Sequence, residues 1–362
     1  MKILWLSWRD IKNPTSGGAE KIETEITKRL VKDDHSVTLY TSRFKNSKAE
    51  ETINGVKIIR SGNRLTCHLH ALSYYLKSKN FDLVIDEINT IPFFTPLFAK
   101  SKSLTIIYQL AREYWFSEAP FPVNLLGYLL EPAYLSLYKN QPTITISQST
   151  KTDLAHLGFK NVNLIRVGLD IKPISVLKPR QNLILLIGRL TQAKGPQDAI
   201  KAFKSISKRY PDYKLIIAGR GEESFVKNLK SLTKNLEINK KVEFKGYISD
   251  REKFALLKKA KIILIPAVRE GWNLVATEAS ATGCVPIGYD VPGLRDSIIN
   301  GKTGILVEKS PDKLAHAAID LLSNDAKRSK LAESGLEFAK KFSWDNTYKD
   351  FKKIMERYGR TE

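Results

Sequence analysis

Two glutamates with seven residues between them, Glu270 and Glu278, flank a predicted helix start. The apolar run before Glu270 is typical of the end of a strand, and Asn273 can cap a helix that continues to Ala281. Glu270 then precedes the helix, whereas Glu278 lies within it. Carboxylates in both positions can accept hydrogen bonds from sugar hydroxyls, so the pair predicts a site for a polyol.

The same segment also offers backbone donors for an anion. The N–H groups of Trp272, Asn273 and Leu274, next to Gly271, would point out of the helix start, where a diphosphate is favoured. A simpler interpretation of the two glutamates is compensation of the helix macrodipole. The residues around them must decide between these interpretations.

A basic pair follows a second apolar run. The predicted strand 183–187 leads into Arg189 and Lys194. An open α/β sheet binds anions at the carboxyl ends of such buried strands. Arg189 offers a planar fork and Lys194 a point charge, so together they predict a site for two phosphates.

Two glycine pairs lie at comparable positions. Gly17 and Gly18 follow the first predicted strand and open a helix, where bare backbone can approach a phosphate closely. A simple turn is the alternative. Gly219 and Gly221 end the second predicted strand of the C-terminal half, and here we expect a tight turn that is also part of the site.

Together these motifs resemble, in order, those of a retaining glycosyltransferase of the GT-B fold, family 4 (the group 1 glycosyltransferases). The motifs are Ser16 to Glu20, Gly188 to Gly195, Gly219 to Gly221 and Glu270 to Glu278. The resemblance covers nearly the whole chain. It implies an α/β protein with two Rossmann-like domains, whose parallel sheets face each other across a cleft.

Length supports two domains, because one hydrophobic core rarely extends beyond about 250–300 residues and this chain has 362. The segment 172–179 has the composition of a linker. We therefore expect an acceptor domain at 1–174 and a nucleotide-sugar donor domain at 175–342. By resemblance, a helix at 343–362 crosses back to the first domain.

Strands and helices alternate along the chain, which predicts parallel sheets with crossover helices. The predicted strands are 2–7, 36–40, 56–60, 83–86, 104–108 and 143–147, then 183–187, 214–218, 242–245, 262–265, 285–287 and 304–307.

The resemblance implies a role for each group of the donor site. Glu270 would hold the hydroxyls of the transferred hexose and offset positive charge near its anomeric carbon, while Glu278 would bind the ribose. Arg189 and Lys194 would stabilise the leaving diphosphate. The expected reaction is hexose transfer from a UDP- or GDP-sugar with retention of configuration, without a metal or other cofactor.

Three further contacts follow from the resemblance. Tyr247 would meet the nucleotide base through its backbone. Tyr108 and Gln109 are candidate contacts of the sugar or the acceptor, and Tyr108 stands where many family members have a histidine.

Metal chemistry has little support in the sequence. There is no Asp-x-Asp, and His68 and His70 would face apart on a helix. Cys67 and Cys284 are the only cysteines, which excludes a disulfide framework and favours a reducing cytosol. The N-terminal segment 1–7 is interpreted as a first strand, not a signal peptide.

The chain is strongly basic, with 59 Lys and Arg against 38 Asp and Glu and a net charge of +21. Nucleotide sugars, anionic membranes and nucleic acids are all attracted by such a charge. No nucleic-acid module is recognisable, so a nucleic-acid-binding protein is only an alternative. A nucleotide-sugar epimerase of the same fold is another, although it would lack this glutamate pair.

Residues 113–138 are rich in leucine and aromatic residues. They are interpreted as a helix beside the acceptor site or as a membrane-surface element. With the basic charge, they suggest a lipid-linked saccharide acceptor in surface glycan synthesis or protein N-glycosylation. The enzyme would then be cytoplasmic, and peripheral on the cytoplasmic face of the membrane.

Overall fold

The computed structural model describes residues 1–78, 80–99 and 101–359 and divides the chain into two compact units. The first unit comprises residues 1–112, 122–168 and 343–362, of which 360–362 lie outside the described residues. The second unit comprises residues 113–121 and 169–342. Each unit is built on one sheet.

The sheet of the first unit has eight strands in the order β3-β4-β2-β1-β5-β6-β7-β8. All neighbours are parallel except β3 and β4. Its inner strands are buried on both faces, which explains their continuous apolar sequence. The strands are β1 (Lys2–Leu6), β2 (Ser36–Thr41), β3 (Glu50–Ile53), β4 (Val56–Arg60), β5 (Leu83–Ile88), β6 (Lys102–Ile107), β7 (Thr143–Thr145) and β8 (Val162–Leu164).

Helices cover both faces of this sheet. They are α1 (Gly18–Lys32), α2 (Cys67–Ser78), α4 (Val123–Leu135), α5 (Gln148–His156) and α13 (Trp344–Gly359). Helix α13 packs on α1, and its Phe351 stacks on Trp5 of β1 with ring centroids 5.8 Å apart. The last helix of the chain therefore belongs to the core of the first unit.

The second unit has a six-stranded parallel sheet in the order β11-β10-β9-β12-β13-β14. Its strands are β9 (Gln181–Ile187), β10 (Lys214–Ala218), β11 (Val242–Gly246), β12 (Ala260–Ile265), β13 (Val285–Tyr289) and β14 (Ile305–Val307). Its helices are α3 (Tyr114–Glu118), α6 (Pro196–Arg209), α7 (Glu223–Asn235), α8 (Asp250–Lys259), α9 (Leu274–Ala281), α10 (Leu294–Ser297), α11 (Pro311–Ser323) and α12 (Asp325–Ala339).

All twelve predicted strands are present within a few residues of their expected bounds, but two further strands were missed. β3 pairs antiparallel with β4 across the two-residue turn Asn54-Gly55, where both residues have positive φ. Asn-Gly is a strong local signal for such a hairpin, so the sequence did contain the information. β8 is short and lies at the sheet edge, where the apolar pattern is weak.

The domain division differs from the expected one at residues 113–121. This segment, with α3, packs against the turn 192–194 of the second unit, although its sequence neighbours on both sides lie in the first. No helix of the described residues is long and apolar enough to cross a membrane.

Candidate donor site

Glu270 lies just beyond the carboxyl end of β12, and Lys194 follows the neighbouring strand β9. The two strands end at the same sheet edge, so these side chains meet: Lys194 Nζ donates to Glu270 Oε1 over 2.6 Å. Asn273 Nδ2 donates to the same oxygen over 2.9 Å. Glu270 is 6% exposed. The carboxylate is therefore held in a fixed, nearly dry position with a cation beside it.

The loop after β13 fixes the backbone of Glu270. The Glu270 N–H donates to the carbonyl of Pro292 over 3.1 Å. The next residue, Gly293, has φ +79°, and a Cβ there would lie 2.0 Å from the Glu270 carbonyl oxygen. Only glycine fits this approach without displacing Glu270. The sequence analysis did not single out this loop.

Asn273 caps α9 as expected, because its side chain accepts the Ala276 N–H over 2.8 Å. The helix begins at Leu274, so Glu278 lies just over one turn into it. The Trp272 side chain turns away from the helix start: its Nε1 donates to Thr277, and its ring packs against Phe342. Gly271 and Trp272 precede the cap, and a contact of their backbone with a ligand stays a prediction.

Glu278 is buried and paired with Lys253 of α8, whose Nζ donates to Oε1 over 2.6 Å. Its other oxygen, Oε2, has no hydrogen-bond partner among the described residues. Burial raises the pKa of the Glu278 carboxyl to about 7, although Lys253 acts in the opposite direction. A ligand hydroxyl that donates to Oε2 would satisfy this oxygen. Lys253 was not anticipated, because nothing in the sequence links it to a residue 25 positions away.

Arg189 follows β9 and reaches the inserted segment 113–121: its Nη2 donates to the Tyr114 hydroxyl over 3.2 Å. Next to Glu270, Arg269 Nη1 donates to Glu113 over 2.7 Å. Arg269 is nearly buried, whereas Glu113 is half-exposed. The inserted segment therefore contacts two arginines at the same sheet edge as Lys194. Arg269 was not among the predicted site residues, although its basic side chain directly precedes Glu270 in the sequence.

The glycines after β9 and β10 bring two loops into contact. A Cβ on Gly219, whose φ is +150°, would lie 1.7 Å from the Gly188 carbonyl oxygen, and one on Gly221 would lie 2.5 Å from that of Leu190. These glycines therefore act as a tight turn, and a ligand contact stays a prediction. Tyr247, beyond β11, is exposed, and the Arg220 guanidinium lies 4.2 Å from its ring centroid.

Gly17 and Gly18 lie in the first unit, where Gly17 is the N-cap of α1 and Gly18 its first residue. The Gly17 N–H donates to Glu20 Oε2 over 2.6 Å, and the other oxygen of Glu20 accepts from Arg9 over 2.8 Å. Glu20 is fully buried. The glycine turn is thus anchored by a buried ion pair, and its contact with a phosphate stays a prediction.

Tyr108 follows β6 in the first unit and is buried. Its hydroxyl has no hydrogen-bond partner among the described residues, and its contact with the sugar or the acceptor stays a prediction. Burial and the charges of Glu87, Glu23 and Glu20 raise the pKa of Tyr108 well above its ordinary value. Gln109, one residue beyond, is half-buried and stays a candidate.

Glu87 makes the stability of this region depend on pH. Burial, followed by the charge of Glu20, raises the pKa of Glu87 to about 8. The folded state therefore binds a proton that the unfolded chain releases near pH 4.5, so this contribution to stability is complete below about pH 4.5 and is lost as pH rises through about 8. We expect Glu87→Gln, which keeps an acceptor for Trp5, to stabilise the protein by more than about 1 kcal/mol at pH 8 and little at pH 4.5.

Thermal unfolding of both proteins at the two pH values measures this effect. The exposed Glu243→Gln is the matched control. A stabilisation of equal size at both pH values would contradict the assignment to Glu87 ionisation.

No group of three or more His, Cys, Asp or Glu residues in the described ranges is arranged to hold a metal ion. The expectation of a metal-independent reaction stays a prediction.

Comparison with known proteins gives a family match for the second unit. Residues 169–338 match the family model described as glycosyl transferases group 1. D-inositol 3-phosphate glycosyltransferase of Corynebacterium urealyticum is 32% identical over 182 residues, which cover 49% of this chain and 42% of that protein. The chain thus matches less than half the length of this curated relative.

Solved structures match over the whole chain. Sucrose-phosphate synthase of Thermosynechococcus elongatus has a TM-score of 0.81 at 18% identity, covering 98% of both chains. HepE of Anabaena, solved in complex with UDP-glucose, has a TM-score of 0.77 at 18% identity, covering 99% of this chain and 100% of that one. The predicted GT-B fold is confirmed by these similarities.

Proposed function

We propose that this chain, in which residues 169–338 match the group 1 glycosyltransferases, is a retaining hexosyltransferase of family 4. It would move a hexose from a UDP- or GDP-sugar to a glycan acceptor. The arrangement of Glu270 carries the proposal: a nearly buried carboxylate, held by Lys194 and Asn273, at the carboxyl edge of a parallel sheet. Open α/β sheets bind nucleotides at this edge.

In the proposed reaction, the bond between the anomeric carbon and the diphosphate oxygen breaks. The acceptor oxygen forms a new bond to that carbon on the same face, and the acceptor proton passes to the leaving diphosphate. Glu270 supports the sugar hydroxyls and offsets positive charge near the anomeric carbon. Arg189 and Lys194 stabilise the charge that develops on the leaving group. The scheme uses no metal ion.

Glu278 is proposed to bind the nucleotide. Its Oε2 is buried without a partner in the described residues, and a ribose has two adjacent hydroxyls that can donate to it. Lys253 holds the other oxygen, so the carboxylate is oriented before a ligand arrives. Tyr247, Gly219 and Gly221 would lie along the nucleotide from the neighbouring strands.

A lipid-linked saccharide is the proposed acceptor, in surface glycan synthesis or protein N-glycosylation. The net charge of +21 favours an anionic membrane, and residues 122–138 expose leucines. The enzyme would then work in the cytoplasm, at the cytoplasmic face of the membrane.

A thermal-shift panel of UDP, GDP and their glucose and mannose derivatives tests the donor. We expect one nucleotide series to raise the unfolding midpoint, and more so at higher ligand concentration, because a ligand that binds only the folded state stabilises it. Absence of a shift with every nucleotide and nucleotide sugar would contradict a donor site. With a responding donor, product NMR then reports the anomeric configuration, and inversion would overturn the retaining mechanism.

A further inference from the structure

One layer of the first unit exposes leucines in place of the usual polar residues. Large exposed fractions occur on two helices, at Leu65 (67%), Leu69 (69%) and Leu76 (48%) around α2, and at Leu126 (53%), Leu129 (60%) and Leu130 (56%) on α4. Leu69 and Leu76 are seven residues apart on α2, and Leu129 and Leu130 follow Leu126 by three and four residues on α4, so on each helix these side chains share one face. Leu65 lies just before α2, four residues from Leu69. We call these six residues the leucine face.

Both helices lie on the same side of the sheet. The chain moves in one direction across the strand order from β4 to β5, β6, β7 and β8, and right-handed crossovers place all these connections on one face. Core packing confirms that α2 and α4 share one side of the sheet. Val84 packs with residues of α2, and Ile88 packs with Leu135 of α4. Val84 and Ile88 are four positions apart on the same strand, so their side chains lie on the same face. Leu97, on the connection between β5 and β6, is also 68% exposed.

Helix α4 buries its charged residue and exposes its leucines, the reverse of the usual arrangement in a surface helix. Its only charged residue, Glu131, is buried and accepts the backbone N–H groups of Ala111 and Arg112 over 2.6 and 2.7 Å. Its outward face carries the leucines. Surface helices of soluble proteins normally turn charges outward, so this face is adapted to an apolar environment.

The opposite layer of the same unit serves as an internal comparison. There α13 turns Asp345, Lys349, Lys353 and Arg357 to the exterior and buries Phe351 and Met355. The exposure of leucine is therefore a property of one face and not of the whole unit.

Charge around the leucine face favours anionic lipid. Residues 61–78 and 122–160 contain five basic residues against two acidic ones, of which Glu131 is buried. The basic residues are Arg64, Lys77, Lys139, Lys151 and Lys160. A broad, apolar surface with a basic surround fits the interface of an anionic bilayer, where leucines enter the acyl boundary and cations meet the headgroups.

We propose that the leucine face is the membrane-docking surface of this protein, and that its partner is an anionic lipid bilayer. The proposal rests on the proposed function only for its purpose, which is to bring the enzyme to a lipid-linked acceptor. The docking itself follows from the exposed leucines and the charge around them.

Sedimentation with vesicles tests it. We expect the protein to bind vesicles of phosphatidylglycerol and phosphatidylcholine at about 0.15 M salt, and more weakly those of phosphatidylcholine alone. The variant Leu126→Gln/Leu129→Gln/Leu130→Gln should lower the partition coefficient at least about tenfold. The matched control replaces three exposed apolar residues elsewhere, Leu164, Val176 and Ile299, by glutamine and should bind like wild type.

A fluorescent label provides a second measurement, which does not depend on a variant that has lost vesicle binding. Cys67 and Cys284 are buried, so an environment-sensitive dye can be attached to Leu129→Cys, with Lys353→Cys on the opposite layer as its control. Vesicles should shift the emission of the dye to the blue at position 129 and not at 353. Equal shifts, or none at 129, would overturn the proposal.

Other occupants of the face give different results. If a second copy of the chain covers it, wild type will be a dimer in light scattering and the triple variant a monomer, without a change in vesicle binding; this would overturn the proposal.

Nucleotide-sugar binding of the triple variant separates docking from function. Normal donor binding without vesicle binding in wild type would refute the docking surface alone, whereas vesicle binding without any donor binding would refute the proposed function alone.

Discussion

Glu270→Ala is expected to lower the rate of sugar transfer by about 10²- to 10⁴-fold, while the affinity for the nucleotide stays close to that of wild type. The carboxylate is nearly buried and is held in place by Lys194 and Asn273, so alanine removes both its negative charge and its oriented acceptor oxygens. The variant keeps Lys194, which remains free to bind the diphosphate. Steady-state transfer assays and calorimetric titration of the nucleotide measure the two quantities separately.

Two controls make this result specific. Glu270→Gln keeps an oxygen for Asn273 but removes the negative charge, so its transfer rate should also fall. Glu243→Ala removes an exposed glutamate of the same unit and should leave transfer unchanged. Wild-type turnover in Glu270→Ala, with the donor still bound, would refute the role of this residue.

Glu278→Ala should weaken nucleotide binding by about 10- to 100-fold, because a hydrogen bond to a charged group contributes about 1.5–3 kcal/mol. The pKa of about 7 adds a dependence on pH. Below pH 7 the carboxyl becomes protonated and loses acceptor capacity, so wild-type affinity should fall between pH 8 and pH 6. In Glu278→Gln the affinity should be low and nearly independent of pH over this range.

The same group also acts on stability. Because the folded pKa of Glu278 lies above the unfolded value, its contribution to stability is complete below about pH 4.5 and is lost as pH rises through about 7. Bound nucleotide should offset this loss, since it satisfies the buried oxygen. Affinity that is independent of pH in wild type, or unchanged in Glu278→Ala, would contradict the assignment of the ribose contact.

The parallel strands were predictable because each is a short apolar run between turn residues, as in Leu183 to Ile187. β3 was not predictable from an apolar run, since Ile53 is its one apolar residue, and only the Asn54-Gly55 turn after it indicated a hairpin. The position of α3 was also hidden. Its sequence lies between segments of the first unit, whereas contacts with the turn 192–194 and with Arg189 and Arg269 place this segment in the second.

At the site, spacing along the sequence predicted the residues but not which of them form hydrogen bonds with each other. Asn273 as a cap and Glu270 before the helix follow from spacing along the chain. The bond from Lys194 to Glu270 joins residues 76 positions apart, and it depends on β9 and β12 being neighbours. The burial of Tyr108 was likewise not evident from its position after a strand, because it depends on residues distant in the sequence.

The inserted segment 113–121 bears on how the second unit can be transferred to another protein, because this unit is not one continuous stretch of the chain. Here, a graft of residues 169–342 alone would omit Glu113 and Tyr114, and Arg269 and Arg189 would each lose one of their contacts. A chimera that is meant to keep these two contacts therefore needs both stretches, 113–121 and 169–342.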